Sequence, residues 1–359
     1  MKVIFIVPRL RSSGPTTQLG YIVRSLLEKD DERHIDLEIV TLRNEGVKSD
    51  MSALKELNGL QVISTADWKS LVRTIIYIKN FKNEVVISSG LFAELICFLF
   101  APKKLWISVV RSYPPEDFKD KFGEIFGGLL SGLSLYLHRK SKRCIAVSQS
   151  LRDRLSLIGL DAITVRNAVA SVNAESIVNV EKISNTFLIV GNLRRLKNVH
   201  SGIELFLRCR KPEDELYILG DVPLKQELVD SYKCHPSIKF FGHVDSVTPF
   251  YVTAKCLISL SSSEGMPNAV MEALSWGVPC ILSPISAHNE LRGLIPDGVF
   301  ICDQDDSQKD IVQKKKLATF LVAGRLNRKL INRQANDALN TSLLSEQYLA
   351  VIKQVSNDF

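Results

Sequence analysis

Short apolar runs rich in β-branched residues alternate with longer segments of helical period along the whole chain. In the first half, Val3–Val7, Ile35–Leu42, Val85–Ser88, Leu105–Val110, Cys144–Val147 and Ile163–Val165 read as buried strands. Thr16–Glu28, Asp67–Asn80, Leu91–Phe100 and Ser148–Leu157 lie between them and read as helices. Continuous apolar strands separated by helices predict a parallel sheet covered on both faces. The pattern lapses from Ala170 to Asn185, which predicts a linker. The second half repeats the order, with strands at Phe187–Val190, Glu215–Leu219, Ile238–Phe241, Cys256–Leu260, Pro279–Leu282 and Val299–Ile301. From about Gln308 the chain reads as one or two charged amphipathic helices. The expected architecture is α/β, with two doubly wound, Rossmann-like domains at 1–169 and 186–340. A linker at 170–185 joins them, and a last segment follows at 341–359.

Composition narrows this only a little. A chain of 359 residues with 45% hydrophobic content suits two ordinary domains, each with its own core. A net charge of +7 is compatible with an anionic substrate or an anionic membrane surface, and no nucleic-acid partner is expected. The 7 Cys are scattered, mostly within apolar runs and without a C-x-x-C pair, so buried free thiols in a reducing cytoplasm are expected. The 6 His show no metal-ligand spacing, and no metal site is expected. Val3–Val7 is too short for a signal peptide, and Leu91–Ala101, interrupted by Glu94, falls short of the ~20 residues that span a bilayer.

Candidate chemistry concentrates between Ser263 and Glu272, S-E-G-M-P-N-A-V-M-E. Pro267 reads as a first helical position, which places Glu264 in the preceding loop. The amides around Gly265, Met266, Asn268 and Ala269, with the positive end of the helix dipole, would attract phosphate. Glu272 then lies roughly 7 Å along the helix, within reach of a sugar beside that phosphate. Two carboxylates flanking an anion cradle describe a nucleotide-sugar site. The plainer alternative is two solvated carboxylates near a helix start.

The same segment resembles the E-x7-E element of the retaining, metal-independent glycosyltransferases of the GT-B fold, glycosyltransferase family 4. Other blocks resemble the family in order: Arg143–Arg154, Val165–Val169, Val190–Asn198, Leu216–Asp221 and Ile238–Val244. The resemblance is strong after about Cys144 and weak before it. It implies two domains facing a central cleft, the last helix (candidate Tyr348–Val355) crossing back onto the first domain, and a nucleoside-diphosphate sugar, UDP-sugar favoured, as co-substrate without further cofactor. It implies that Glu264 orients the donor sugar, Glu272 the ribose, and Lys197 the departing diphosphate. The loops at Gly220–Pro223 and at Gly242, His243 and Val244 would face the base.

Three positions depart from the family pattern. Asn192 stands where an Arg is usual, so Arg194 or Arg195 would have to reach the phosphate, or one charge is missing. Ser13 replaces the first Gly of a Gly-Gly loop, leaving Gly14 to approach the donor, with Thr16 or Thr17 capping the next helix. Arg111 occupies a frequent His position. It cannot serve as a base, and either binds an acceptor phosphate or sugar hydroxyl or forms a structural salt bridge.

Residues 103–143 are the candidate surface for a polyprenyl-linked acceptor on an anionic membrane. Lys103, Lys104, Lys119, Lys121, Arg139, Lys140, Lys142 and Arg143 bracket the apolar stretch Phe118–Leu137. A core helix with solvated ends is the competing reading, and Gly123, Gly127, Gly128 and Gly132 weaken helix propensity throughout. The expected function is sugar transfer to a glycan or lipid-linked oligosaccharide in bacterial surface polysaccharide biosynthesis, by an enzyme in the cytoplasm or on the inner face of the membrane. An epimerase or phosphorylase on the same fold is the alternative enzyme, and a silent nucleotide- or glycan-binding partner the alternative of another class.

Overall fold

A computed structural model describes residues 1–10, 13–28, 35–43, 60–65, 67–177, 183–221, 226–302 and 310–357. Val222, Pro223 and Gln308, which carried sequence expectations, lie outside the described residues. The chain divides into two compact units, Met1–Ala168 with Thr341–Phe359, and Val169–Asn340.

The first unit is built on seven parallel strands: β1 (Lys2–Val7), β2 (Asp36–Thr41), β3 (Leu60–Ser64), β4 (Val85–Ser89), β5 (Trp106–Val110), β6 (Arg143–Ala146) and β7 (Ile163–Thr164). Their order is β3-β2-β1-β4-β5-β6-β7. Val3 lies between Leu37 and Val85, so β1 forms the centre and its side chains are buried on both faces. That double burial explains the unbroken apolar run. The C-terminal helix Thr341–Asn357 packs against Gly14–Glu28, with Ser25 Oγ donating to the Thr341 carbonyl at 3.0 Å.

The second unit repeats the plan with six strands: β8 (Thr186–Val190), β9 (Glu215–Leu219), β10 (Ile238–Gly242), β11 (Cys256–Ser259), β12 (Cys280–Leu282) and β13 (Val299–Ile301). Their order is β10-β9-β8-β11-β12-β13. The sequence direction of the order reverses between β8 and β11, where crossovers leave the sheet on opposite sides and a crevice opens at the strands' C-terminal ends. Ile189, Ile258 and Ile281 from the central strands pack with Ile203 and Phe206 of the helix Val199–Cys209.

Several expectations change. The end of the chain forms three helices, Asp310–Leu326, Arg328–Ala338 and Thr341–Asn357, instead of one or two. The described part of 170–185 belongs to the second unit, where Asn332 and Asn336 both donate to the Val172 carbonyl. The stretch Phe118–Leu137 is divided between two helices, Pro114–Phe122 and Glu124–Lys140, because Gly123 turns the chain at φ +79°. A Cβ on Gly127 would come within 2.4 Å of the Phe118 carbonyl oxygen, so its glycine permits backbone contact between these helices. Five of the cysteines are buried, as the apolar runs suggested, but Cys209 is half-buried and Cys234 exposed, and none is in a disulfide.

Candidate active site

The site residues of the second unit converge on the crevice between β8 and β11. Three glycine-containing loops lace its rim. Gly191 donates to the Leu219 carbonyl (2.9 Å), Leu193 to Asp221 (3.0 Å), and Gly220 to Gly242 (2.7 Å). Gly220 holds φ +133°, and a Cβ there would lie 1.9 Å from the Gly191 carbonyl oxygen, so only glycine lets the loops after β8 and β9 meet.

The loop after β8 carries a short 3₁₀ turn, Arg195–Lys197, ended by Asn198 in the left-handed region at φ 46°. This turn brings the Lys197 amine beside Gly191, where a Cβ would sit 3.7 Å from Nζ. The loop after β11 carries Ser261 and Glu264. Lys197 Nζ donates to Glu264 Oε1 at 2.6 Å, and Ser261 Oγ donates to the same oxygen at 2.7 Å. Burial alone would raise the Glu264 carboxyl, but the charge and hydrogen bond of Lys197, aided by Ser261, outweigh it and hold the group below its ordinary value. Glu264 is therefore a carboxylate, tied to the residue that sequence reasoning had assigned to a different ligand group.

Pro267 is the N-cap of the helix Asn268–Ser275, one position earlier than its expected place as first helical residue. Its φ of −82° and ψ of 96° are extended, while its carbonyl accepts from Met271 at 3.1 Å. The first-turn amides of a helix have no acceptor within it, and these begin four residues after Glu264. Glu272 lies one turn in, half-buried, with Tyr251 Oη at 3.4 Å from Oε2. Burial pushes its carboxyl up to about 7, against the lowering effect of that hydrogen bond. The buried Arg328 guanidinium fixes this helix from its other end, donating to the carbonyls of Trp276 (3.0 Å), Tyr251 (2.9 Å) and Val252 (3.0 Å).

The structure brings Lys197, Glu264, Gly265, Met266, Pro267, Asn268, Ala269 and Glu272 to one end of the second sheet. Arg194 is half-buried and Arg195 exposed on the loop that carries Lys197. His243 and Val244 follow β10 on the outer side of the laced loops. Gly14 and Arg111 belong to the first unit. Gly14 is the first residue of its helix, and the Ser13 carbonyl accepts from Thr17 at 3.0 Å, so Ser13 stands at the cap, with Thr16 and Thr17 inside the first turn. Arg111 follows β5 and donates from Nε to Ser89 Oγ at 2.7 Å; burial lowers its pKa, with Tyr348 of the C-terminal helix acting weakly the other way.

Sequence reasoning missed His288. It is fully buried in the helix Ser286–Leu294, with Nδ1 3.0 Å from both the carbonyl and the hydroxyl oxygen of Ser283. Ser283 Oγ in turn donates to the Ser261 carbonyl. Because that bond uses the only hydroxyl proton of Ser283, His288 Nδ1 must carry the imidazole proton. Lys197, Glu264, Ser261, Ser283 and His288 thus form one network. No local sequence signal marks His288, because its links to Ser283 and, through Ser283, to Ser261 form only in the fold.

Residues 184–316, within the second unit, match the family model described as Glycosyl transferases group 1. Among curated relatives, the chain is 31% identical over 185 residues to the Campylobacter jejuni protein named GalNAc-alpha-(1->4)-GalNAc-alpha-(1->3)-diNAcBac-PP-undecaprenol alpha-1,4-N-acetyl-D-galactosaminyltransferase, covering 48% of this chain and 49% of that one. It is 24% identical over 259 residues to the Escherichia coli UDP-Gal:alpha-D-GlcNAc-diphosphoundecaprenol alpha-1,3-galactosyltransferase, covering 66% of each. The chain therefore matches about half of the first relative and about two thirds of the second. Among solved structures, HepE of Anabaena in complex with UDP-glucose superposes with a TM-score of 0.76 at 12% identity, over 99% of this chain and 100% of that one. The fold is GT-B: two parallel-sheet, Rossmann-like domains.

Proposed function

We propose that this protein is a glycosyltransferase that moves a hexose from a UDP-sugar to a lipid-diphosphate-linked glycan, with retention of configuration and without a metal. The observation that carries this reading is the Lys197–Glu264 pair, set in the switch-point crevice beside the start of the helix Asn268–Ser275. An ammonium has three donors, and Glu264 engages one. A diphosphate at the helix start takes the others, so positive charge meets the leaving group as its bond to the anomeric carbon breaks. Glu264, kept ionised, accepts from the sugar's hydroxyls and favours the positive charge that grows on the sugar. Glu272 accepts from the ribose.

The acceptor hydroxyl arrives on the face the diphosphate leaves and passes its proton to the departing phosphate oxygen. That course balances without a protein base. Arg111 is assigned to the acceptor's phosphate: Nε is held by Ser89, and the fork of a guanidinium carries further donors. The names of the Campylobacter and Escherichia relatives support the acceptor class, and that of the Escherichia relative supports the nucleotide.

The test is release of UDP from UDP-glucose, UDP-galactose, UDP-GlcNAc and UDP-GalNAc with undecaprenyl-diphosphate-linked glycans as acceptors. The reading expects acceptor-dependent UDP release from one donor and an α-linked product by NMR. No release from any donor, together with no shift in melting temperature by UDP, contradicts it.

A further inference from the structure

The helix Glu124–Lys140 is inside out for a helix on a water-exposed surface. Its buried positions are Gly127, Ser131, Ser134, Leu137 and His138. Its outward face carries Ile125 (85% exposed), Phe126 (58%), Leu129 (67%), Leu133 and Tyr136. Ile125, Leu129, Leu133 and Tyr136 are spaced four, four and three residues apart, so they form one stripe. Exposed Phe122 of the preceding helix extends it, with its ring 6.1 Å from that of Phe126.

The polar inner face is accommodated by a buried network. His138 Nδ1 lies 2.9 Å from Ser108 Oγ, and its Nε2 lies 3.4 Å from Glu94 Oε1. Ser134 Oγ reaches the other Glu94 oxygen at 3.5 Å. Glu94 also accepts from the Gly90 amide, which anchors the network to the start of the helix Leu91–Phe100. The helix is therefore secured from beneath mainly by polar contacts, with Leu137 its one leucine that joins this unit's buried core. A contiguous exposed apolar face of this kind marks a surface that meets something apolar.

We propose that this face, formed by Phe122, Ile125, Phe126, Leu129, Leu133 and Tyr136, inserts into the interface of an anionic lipid bilayer. Charge around the stripe selects that occupant. Lys103 lies over the Phe98 ring (4.7 Å) and Lys140 over the Tyr136 ring (5.3 Å), with apolar stems beside aromatic edges and ammonium groups free to reach headgroups. Lys119 and Lys121 are paired within the protein, to Glu124 (2.7 Å) and Asp117, and Arg139 is bonded to carbonyls of Ile158 and Gly159. The attraction is accordingly apolar first and electrostatic second, which corrects the weighting that the run of basic residues suggested. The inference deepens the reading of a lipid-linked acceptor but is tested without turnover.

The experiment is flotation of the full chain with vesicles of phosphatidylcholine alone and of phosphatidylcholine with 30% phosphatidylglycerol. The triple variant Ile125→Ser, Phe126→Ser, Leu129→Ser is run alongside. The wild type should float with the anionic vesicles and several-fold less with neutral ones. The triple variant should lose binding at least tenfold while keeping its melting temperature and its affinity for UDP. Wild-type protein that stays unbound, or a triple variant that floats equally well, overturns the proposal. So does a wild-type dimer that the triple variant dissolves, because the face would then be an interface between two copies. Loss of UDP binding in the wild type would instead strike the donor-site reading and leave the flotation result standing.

Discussion

Lys197 Nζ and Glu264 Oε1, 67 residues apart in sequence, meet at 2.6 Å across the point where the second sheet reverses its strand order. The pair keeps a carboxylate and an ammonium poised in the same crevice, each preventing the other from becoming an uncompensated buried charge. A bound diphosphate competes with Glu264 for the ammonium, so donor binding must redistribute this contact.

Lys197→Met should weaken UDP binding by ~1.5–3 kcal/mol, the range for a lost hydrogen bond to a charged group. Without the ammonium, burial acts on Glu264 opposed only by the weaker effects of Ser261 and His288, and its carboxyl should move upward. Titration calorimetry across pH checks both: unchanged UDP affinity would remove Lys197 from the phosphate site.

UDP affinity should rise with pH on either side of neutrality. Free Glu272 titrates at about 7, whereas a ribose hydroxyl needs the carboxylate as acceptor. Below that value binding requires loss of a proton, so affinity should increase up to about tenfold per pH unit and level off above pH 8. Glu272→Gln should flatten this profile. A wild-type profile already flat between pH 6 and 8 would count against a ribose contact.

Gly220→Ala should damage the rim as a whole. The backbone conformation alone costs a non-glycine residue ~1–3 kcal/mol, and the overlap with the Gly191 carbonyl must be relieved by parting the two loops. Chemical denaturation should show the loss, and UDP affinity should fall with it. Gly132→Ala, with open space around the added methyl, should be neutral or stabilising by up to ~1 kcal/mol.

Acid stability should depend on His288. Burial lowers its pKa from 6.5 to about 4, so the folded state binds fewer protons than the unfolded chain between those values. Stability from this group is complete above pH 6.5 and is lost as pH falls toward 4, by up to ~1.4 kcal/mol per unit. The difference between wild-type and His288→Gln unfolding free energies should carry that slope. No slope in the difference would mean that His288 is charged in the folded protein.

Most strands were legible because a parallel sheet buried on both faces writes itself as an unbroken apolar run, as in Val3–Val7. β3 escaped notice because it is an edge strand, half-exposed, with Gln61 and Ser64 among its five residues. Glu264 and Glu272 could be found from local spacing around one helix start. Lys197 came only from the family resemblance, and Tyr251 and His288 went unnoticed, because partners that arrive from other strands and helices leave no periodicity. The helix Glu124–Lys140 is ambiguous in sequence for a different reason. Its glycines lower propensity, while backbone contact at Gly127 stabilises the helix pair, and its apolar face points outward although apolar stripes normally mark the core.

The most direct test of the donor site is the rate of sugar transfer by Glu264→Gln at saturating UDP-sugar. The substitution preserves shape and removes the charge, so the account predicts a fall in kcat of at least a hundredfold with the protein still folded and UDP still bound. Turnover within twofold of the wild type would contradict the assignment of Glu264 to the reacting sugar.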